Sequence, residues 1–139
     1  MNILKRIVAI AAGIAVGLGF VMVGDYLSTL VHPWPHDLDY HNREVIINYM
    51  NQLPLLPFLA MIGGYAAGAF LGGIVATLLS GRQAVRPAMI VGIVLTMGNI
   101  FNQMQIPHPL WFAVVAIGMS IPLAWSGWRV VRTEEAPAA

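Results

Sequence analysis

Three amide side chains, Asn99, Asn102 and Gln103, are spaced so that they can act together. Their positions at i, i+3 and i+4 put them on one face of a helix. They lie within residues 87–128, a stretch that contains no Asp, Glu, Lys or Arg. Amides in such apolar surroundings need hydrogen-bond partners, so they are candidates for binding a polar solute or for joining helices.

Asp25, Tyr65 and His108 are the candidate partners of these amides. Asp25 falls near the end of the first apolar segment, where a carboxylate is costly unless it faces protein or a wet cavity. Tyr65 reaches a similar depth in the second segment, and His108 stands between two prolines at a predicted turn. We predict that these residues and the three amides outline a polar, ligand-binding pocket.

Each of these residues also has a purely structural interpretation. The amides can join neighbouring helices through hydrogen bonds. Asp25 can be a solvated residue at the membrane boundary or a cap for the loop that follows. The ring of His108 can bond to carbonyl groups of the turn, and Tyr65 can be a packing residue. The sequence leaves both sets of roles open.

The segment HPWPHDLDYH, residues 32–41, holds the densest set of metal-capable side chains, including His32, His36 and His41. Zinc takes three or four such ligands in a fixed geometry. Prolines at 33 and 35 break the helix that would align the first two histidines, and no HExxH pattern is present. We predict a solvated, proline-stiffened loop with no metal and no cofactor, the three histidines being the only candidates for a metal site.

The composition indicates a lipid bilayer. The chain of 139 residues is 58% apolar and 9% charged, and its mean hydropathy is +0.75, which is too apolar for a soluble domain of this size. A net charge of +1 and the lack of a glycine-rich phosphate loop argue against a nucleic-acid partner. The absence of cysteine excludes disulfides and cysteine nucleophiles. Membrane lipids are the expected partners.

Four segments are long enough to cross a hydrocarbon core of about 30 Å: residues 7–27, 57–79, 88–105 and 110–128. Pro107 and Pro109 prevent one helix from running through the last two segments, which therefore form a hairpin. The basic, apolar start also fits a signal peptide, but we predict a retained helix because no clear cleavage site follows. The expected fold is one all-α domain over residues 1–139, a four-transmembrane-helix bundle with an outer loop at 28–56.

Charge and aromatic residues predict the direction of the spans. Six of the seven Lys and Arg residues fall on one side, and only Arg43 falls on the other. By the positive-inside rule, both termini are cytoplasmic and the outer loop faces away from the cytoplasm. Trp34 and Trp111 mark the outer boundary, and Trp125 and Trp128 mark the inner one.

The outer loop contains a predicted amphipathic helix at residues 43–53. Ile46, Met50 and Leu53 share one helical face. We expect this helix to lie along the membrane surface.

Gly64, Gly68 and Gly72 recur every four residues in the second span. This spacing creates a groove into which another backbone can pack closely. We expect packing within the chain, with a contact between subunits as the alternative.

The plan of the chain resembles a group of small four-span bacterial inner-membrane proteins that is usually left uncharacterised. The shared features are a basic N-terminus, four spans, a Pro-rich first outer loop and the string IPHPLWF at residues 106–112. The resemblance covers nearly the whole chain. It implies a bacterial inner-membrane location and no particular activity.

Three functional hypotheses follow from the sequence. The first is a non-enzymatic membrane subunit with an outward-facing polar pocket, acting as a homo-oligomer or as an accessory to another membrane protein. The second is a small ion- or proton-coupled transporter or channel in which Asp25 carries the ion or proton and Asn99 and Asn102 bind the solute. The third is an outer-face enzyme acting on a lipid headgroup, with His108 as acid or base and Asp25 orienting it.

Overall fold

Four long helices and one short helix account for most of residues 2–132, the part of the chain that the computed structural model describes. In chain order they are α1 (Ile3–Val31), α2 (Arg43–Gln52), α3 (Leu55–Leu79), α4 (Arg86–Gln105) and α5 (Leu110–Val131). All except α2 are long and apolar enough to cross a membrane. The four predicted spans and the short helix of the first connection are therefore confirmed.

Caps and turn residues set the ends of the helices. The side chain of Asn42 accepts a hydrogen bond from the backbone N–H of Glu44 at 3.1 Å and so caps α2. Pro87 lies in the first turn of α4, where its missing N–H costs little. Between α3 and α4 the chain reverses at Gly81 and Arg82, whose φ angles of 95° and 69° lie in the left-handed region. Glycine adopts that region without strain, and this favours a tight reversal.

Helix α1 is longer than the span predicted from the sequence. It has 29 residues, which corresponds to about 43 Å at 1.5 Å per residue and exceeds a hydrocarbon core of about 30 Å. It begins four residues before the predicted span and ends four residues after it. Residues 28–31, which the prediction assigns to the outer loop, continue the helix that carries Asp25.

Glycines bring α1 and α3 into backbone contact. Three pairs lie against each other: Gly64 with Gly24, Gly68 with Gly17, and Gly72 with Gly13. A Cβ atom added to Gly68 would lie 2.5 Å from the carbonyl oxygen of Gly17. Helix α1 of the same chain therefore fills the predicted groove, which supports the interpretation as internal packing. The alternative, a subunit contact in this groove, is wrong because no space remains for a second chain.

Further close contacts hold α5, and the sequence reasoning did not identify them. Gly73 of α3 packs against Ala124, and Gly127 of α5 packs against the backbone of Phe70. Gly92 of α4 also approaches α5, where its Cβ would lie 3.0 Å from the Cβ of Ala124. These small residues allow α5 to pack against both α3 and α4.

The two ends of the bundle differ in their side chains. The end that holds the α1–α3 connection and the α4–α5 turn is called the loop end below. The opposite end is called the arginine end, and there Arg129 lies 5.1 Å from the ring centroid of Trp125 and Arg132 lies 5.0 Å from that of Trp128. Such cation–π pairs keep the charged groups beside the indole rings near the end of α5.

Candidate functional site

A cavity of about 540 Å³ lies at the loop end. It lies within the size range of small-molecule sites in proteins. Its polar lining is formed by Asp25, Ser28, Thr29, His32, Asn102, Gln105 and His108. Ile46 and Met50 of α2 also line it, and both are buried. The apolar face of α2 therefore covers this loop-end cavity.

Helix α1 supplies one wall of the cavity. Asp25, Ser28, Thr29 and His32 are spaced at i, i+3, i+4 and i+7, so they share one face at the end of α1. Sequence reasoning missed Ser28 and Thr29 because it ended the span at residue 27. The same spacing rule, applied to a longer helix, would have found them.

A chain of hydrogen bonds connects three helices beside the cavity. The hydroxyl of Tyr65 on α3 donates to Oδ1 of Asp25 at 3.0 Å. The same hydroxyl accepts a bond from Nδ2 of Asn102 on α4 at 3.3 Å. Tyr65 is only 2% exposed, so its hydroxyl is held by the core around its ring. The structure thus brings Asp25, Tyr65 and Asn102 together, as the sequence predicts.

The second oxygen of Asp25 is accessible and has no partner among the described residues. Tyr65 bonds to Oδ1, and within residues 2–132 no other side chain is hydrogen-bonded or ion-paired with this carboxylate. No buried side-chain oxygen in that part of the chain lacks a partner. Oδ2 of Asp25 is therefore accessible, and Asp25 belongs to the cavity lining. The carboxylate is oriented on one side and available on the other.

Asn99 does not join this group. Its Nδ2 donates to the carbonyl oxygen of Ala116 at 2.8 Å and to Oγ of Ser120 at 3.1 Å. Both partners belong to α5, and Asn99 is 8% exposed. The expectation that Asn99 lines the pocket is wrong, since its amide is used to join α4 to α5. No spacing or motif in the sequence indicates Ser120 as its partner.

Gln103 and His108 pair with each other at the α4–α5 turn. Nε2 of Gln103 donates to the backbone oxygen of His108 at 2.9 Å. Its Oε1 lies 3.1 Å from Nδ1 of the ring, and because an amide oxygen only accepts, Nδ1 carries the proton. The ring also stacks on Phe112 with centroids 4.7 Å apart.

This pairing bears on both functional roles predicted for the turn. Gln103 lies outside the cavity lining, and its amide is used to hold the turn. His108 lines the cavity, but Gln103 orients its ring, so the orienting contact with Asp25 on which the enzyme hypothesis rests is not formed. The arrangement favours a structural role for both residues.

The burial of His108 predicts a loss of stability in acid. Burial lowers the pKa of His108 below its ordinary value of 6.5, and a backbone hydrogen bond with Ile106 opposes this only in part. The unfolded ring therefore takes up a proton at a higher pH than the folded ring does. The stabilisation is complete above about pH 6.5 and is lost as the pH falls through the lower, folded pKa. We expect the melting temperature of the detergent-solubilised protein to fall between about pH 7 and pH 5.

Two variants separate this effect from the titration of other histidines. His108→Asn should show a shallower fall of melting temperature with pH than the unaltered protein. His36→Asn, at an exposed position, should leave the profile unchanged. Parallel profiles for the unaltered protein and His108→Asn would contradict the assignment.

The three candidate metal ligands of the first connection are not brought together. Nδ1 of His32 lies 3.2 Å from the hydroxyl of Tyr49 on α2. His36 and His41 are exposed. Among residues 2–132, no three His, Asp or Glu side chains are grouped as a metal site would need.

Aromatic rings of the same connection pack beside the cavity. Trp34 stacks on Tyr40 with centroids 5.7 Å apart and contacts Tyr49 at 5.0 Å. Trp34 and Tyr40 both line the cavity. Sequence reasoning treated Trp34 only as a boundary marker, because nothing local indicates that the connection contributes to the wall of a cavity.

The fold and this site define a class: a multi-pass helical membrane protein with a polar cavity at one end of its bundle. In comparisons with known proteins, no family model, no curated protein and no solved structure matches the chain.

Proposed function

We propose that this chain is a bacterial inner-membrane protein that binds a small polar solute in the loop-end cavity and performs no catalytic step of its own. The observation that carries the proposal is the half-buried carboxylate of Asp25, which is fixed by Tyr65 on one oxygen, is accessible on the other, and belongs to the lining of a cavity of about 540 Å³. Convergent polar groups in a largely apolar cavity are typical of small-molecule sites.

The proposal predicts that solutes stabilise the protein through this cavity. Three probes of nearly equal shape cover the charge classes: choline, the neutral 3,3-dimethylbutan-1-ol and the anion 3,3-dimethylbutanoate. A bound probe should raise the free energy of unfolding by about 2.7 kcal/mol at 100 times its Kd. The measurement is the melting temperature of the purified full chain in detergent over a concentration series of each probe.

A blocking variant tests whether the binding occurs in the cavity. Thr29 lines the cavity, so Thr29→Trp should fill part of it and abolish the stabilisation. Leu30→Trp, at the neighbouring exposed position outside the lining, should retain it. The proposal fails if none of the three probes shifts the melting temperature, or if both variants respond like the unaltered protein.

The proposed orientation puts both termini in the cytoplasm and the loop end outside. It is supported by the excess of Lys and Arg at the arginine end and in the residues next to it. In this orientation α2 lies at the outer membrane surface, with its apolar face over the cavity.

Single cysteines test the orientation, since the chain has none of its own. In intact cells, a membrane-impermeant maleimide should label His36→Cys and should spare Gln83→Cys until the membrane is permeabilised. Both positions are exposed, so accessibility within the fold does not bias the comparison. The reverse labelling pattern would invert the proposed topology.

We also propose that the chain works as a homo-oligomer or as an accessory subunit of another membrane protein. Because α1 fills the glycine groove, this contact must use outward apolar surfaces of the bundle. Met97, Phe101 and Met104 form one such exposed stripe on α4.

Coupled transport is a second candidate function. It is favoured by the chain of hydrogen bonds that links one residue on each of three spans. Asp25 on α1, Tyr65 on α3 and Asn102 on α4 are joined at the cavity, and carboxylates within spans frequently mark ion or proton pathways. In proteoliposomes, uptake of a probe driven by a pH gradient should then be abolished in Asp25→Asn. Uptake that is absent from the unaltered protein, or equal in the variant, removes this candidate.

A further inference from the structure

We propose that the solute of the loop-end cavity is a small organic cation, with its ammonium group beside Asp25 and its alkyl groups against the aromatic and apolar lining. This inference rests on the proposed function, because it specifies the ligand class of the same site. The juxtaposition that carries it is one carboxylate, without a cationic partner among residues 2–132, in the lining of a cavity whose wall contains Trp34 and Tyr40.

The charge of the cavity is negative and uncompensated. Among the described residues that line it, Asp25 is the only Asp, Glu, Lys or Arg. Its Oδ1 accepts the hydrogen bond of Tyr65, while no cation in residues 2–132 pairs with it. A partly desolvated charge without a counterion is costly. A cationic ligand removes that cost, whereas an anionic ligand would add to it.

The nearby described groups that can carry positive charge do not neutralise the carboxylate of Asp25. Arg43 is the only Lys or Arg of residues 28–56. It lies outside the cavity lining, and its guanidinium donates to the backbone oxygen of Met104 at 3.4 Å. Burial lowers the pKa of His108, so its ring is neutral near pH 7. His32, the other histidine of the lining, is engaged with Tyr49 at 3.2 Å.

The aromatic wall suits an alkylated ammonium group better than a metal ion. Aromatic rings attract cations through their quadrupole, and quaternary ammonium groups are recognised by clusters of such rings. Trp34 and Tyr40 stack on each other at 5.7 Å and both contribute to the lining. Ile46, Met50 and Met61 supply apolar surface for alkyl groups. A bare metal ion would need several oxygen or nitrogen ligands, and no such group of carboxylates and histidines exists among residues 2–132.

Isothermal titration calorimetry with the three isosteric probes tests the inference on the purified full chain. Choline should bind at least about tenfold more tightly than 3,3-dimethylbutan-1-ol, since only the charge differs, and 3,3-dimethylbutanoate should not bind. Equal affinities for choline and the alcohol, or tighter binding of the anion, would overturn the assignment of the ligand as a cation. The proposed solute-binding function would remain in place. Failure of all three probes to bind would remove both.

Variants locate the ammonium group. Asp25→Asn keeps the shape and the acceptor for Tyr65, and it should weaken choline binding at least about tenfold without changing the affinity for the alcohol. Asp37→Asn removes an exposed carboxylate outside the lining and should have no effect. Trp34→Leu should weaken choline about fivefold. Unchanged choline affinity in Asp25→Asn contradicts the inference, and the comparison of probes decides it even if that variant fails to fold.

Discussion

Gly68→Leu is expected to unfold the bundle or to leave it grossly destabilised. A Cβ atom at Gly68 would lie 2.5 Å from the carbonyl oxygen of Gly17. That neighbour is helix backbone, which cannot move aside as a flexible side chain does, so α1 and α3 must separate. Overpacking of a core typically costs 1–3 kcal/mol, and contact with rigid backbone puts the expected loss at about 3 kcal/mol or more.

The matched control lies five residues earlier on the same helix. Gly63 has nothing within 4 Å of the position of an added Cβ, so Gly63→Leu introduces the same side chain into open space. The yield of monodisperse protein in detergent and its melting temperature are the measurements. Equal stability of the two variants would contradict the close packing of α1 on α3.

Two replacements of Tyr65 should separate the contribution of its ring packing to the free energy of unfolding from the contribution of its hydrogen bonds. The buried ring contacts Phe112 with centroids 6.0 Å apart, and the hydroxyl joins Asp25 to Asn102. Tyr65→Ala should cost about 3–5 kcal/mol, because it leaves a cavity in the core. Tyr65→Phe should cost about 1–3 kcal/mol, since it leaves one donor and one acceptor without their partner.

The two Tyr65 variants also differ in their effect on the site. Tyr65→Phe keeps the bundle but releases Oδ1 of Asp25, so it should weaken solute binding while the fold persists. Chemical unfolding of each variant, with Tyr26→Phe at an exposed position on α1 as the control, gives the free energies. If Tyr65→Phe is as stable as the unaltered protein, the hydroxyl contributes nothing to the contact of the three helices.

The predicted polar residues have different roles in the structure. Asp25 and Asn102 line the cavity and are linked through Tyr65, whereas Asn99 and Gln103 bond to the α5 backbone and to the α4–α5 turn. An amide in a membrane helix is destabilising unless it finds a hydrogen-bond partner within the protein. An amide that joins two helices and an amide that binds a solute both meet this requirement. Sequence spacing therefore does not distinguish the two roles.

The geometry of α4 explains why only the folded structure separates the structural amides from the amide that lines the cavity. At about 100° per residue, Asn102 and Gln103 stand about 60° and 40° on opposite sides of Asn99. Because α4 packs against α3 and α1 as well as α5, this spread crosses the boundary between two interfaces. Asn102 consequently meets Tyr65 on α3, while Asn99 and Gln103 meet α5 and its preceding turn.

The sequence by itself determined the four spans, the hairpin at Pro107 and Pro109, the short helix α2 and the glycine groove. These features depend on local length, backbone chemistry and residue spacing, which lipid constrains strongly. Only the tertiary structure decided that α1 fills the groove, that α2 covers a cavity, and that the hydroxyl of Tyr65 donates to Asp25 and accepts from Asn102. The hydrogen bonds and glycine contacts among these partnerships join residues 37 to 59 positions apart in the chain, and no local pattern specifies which side chains will meet.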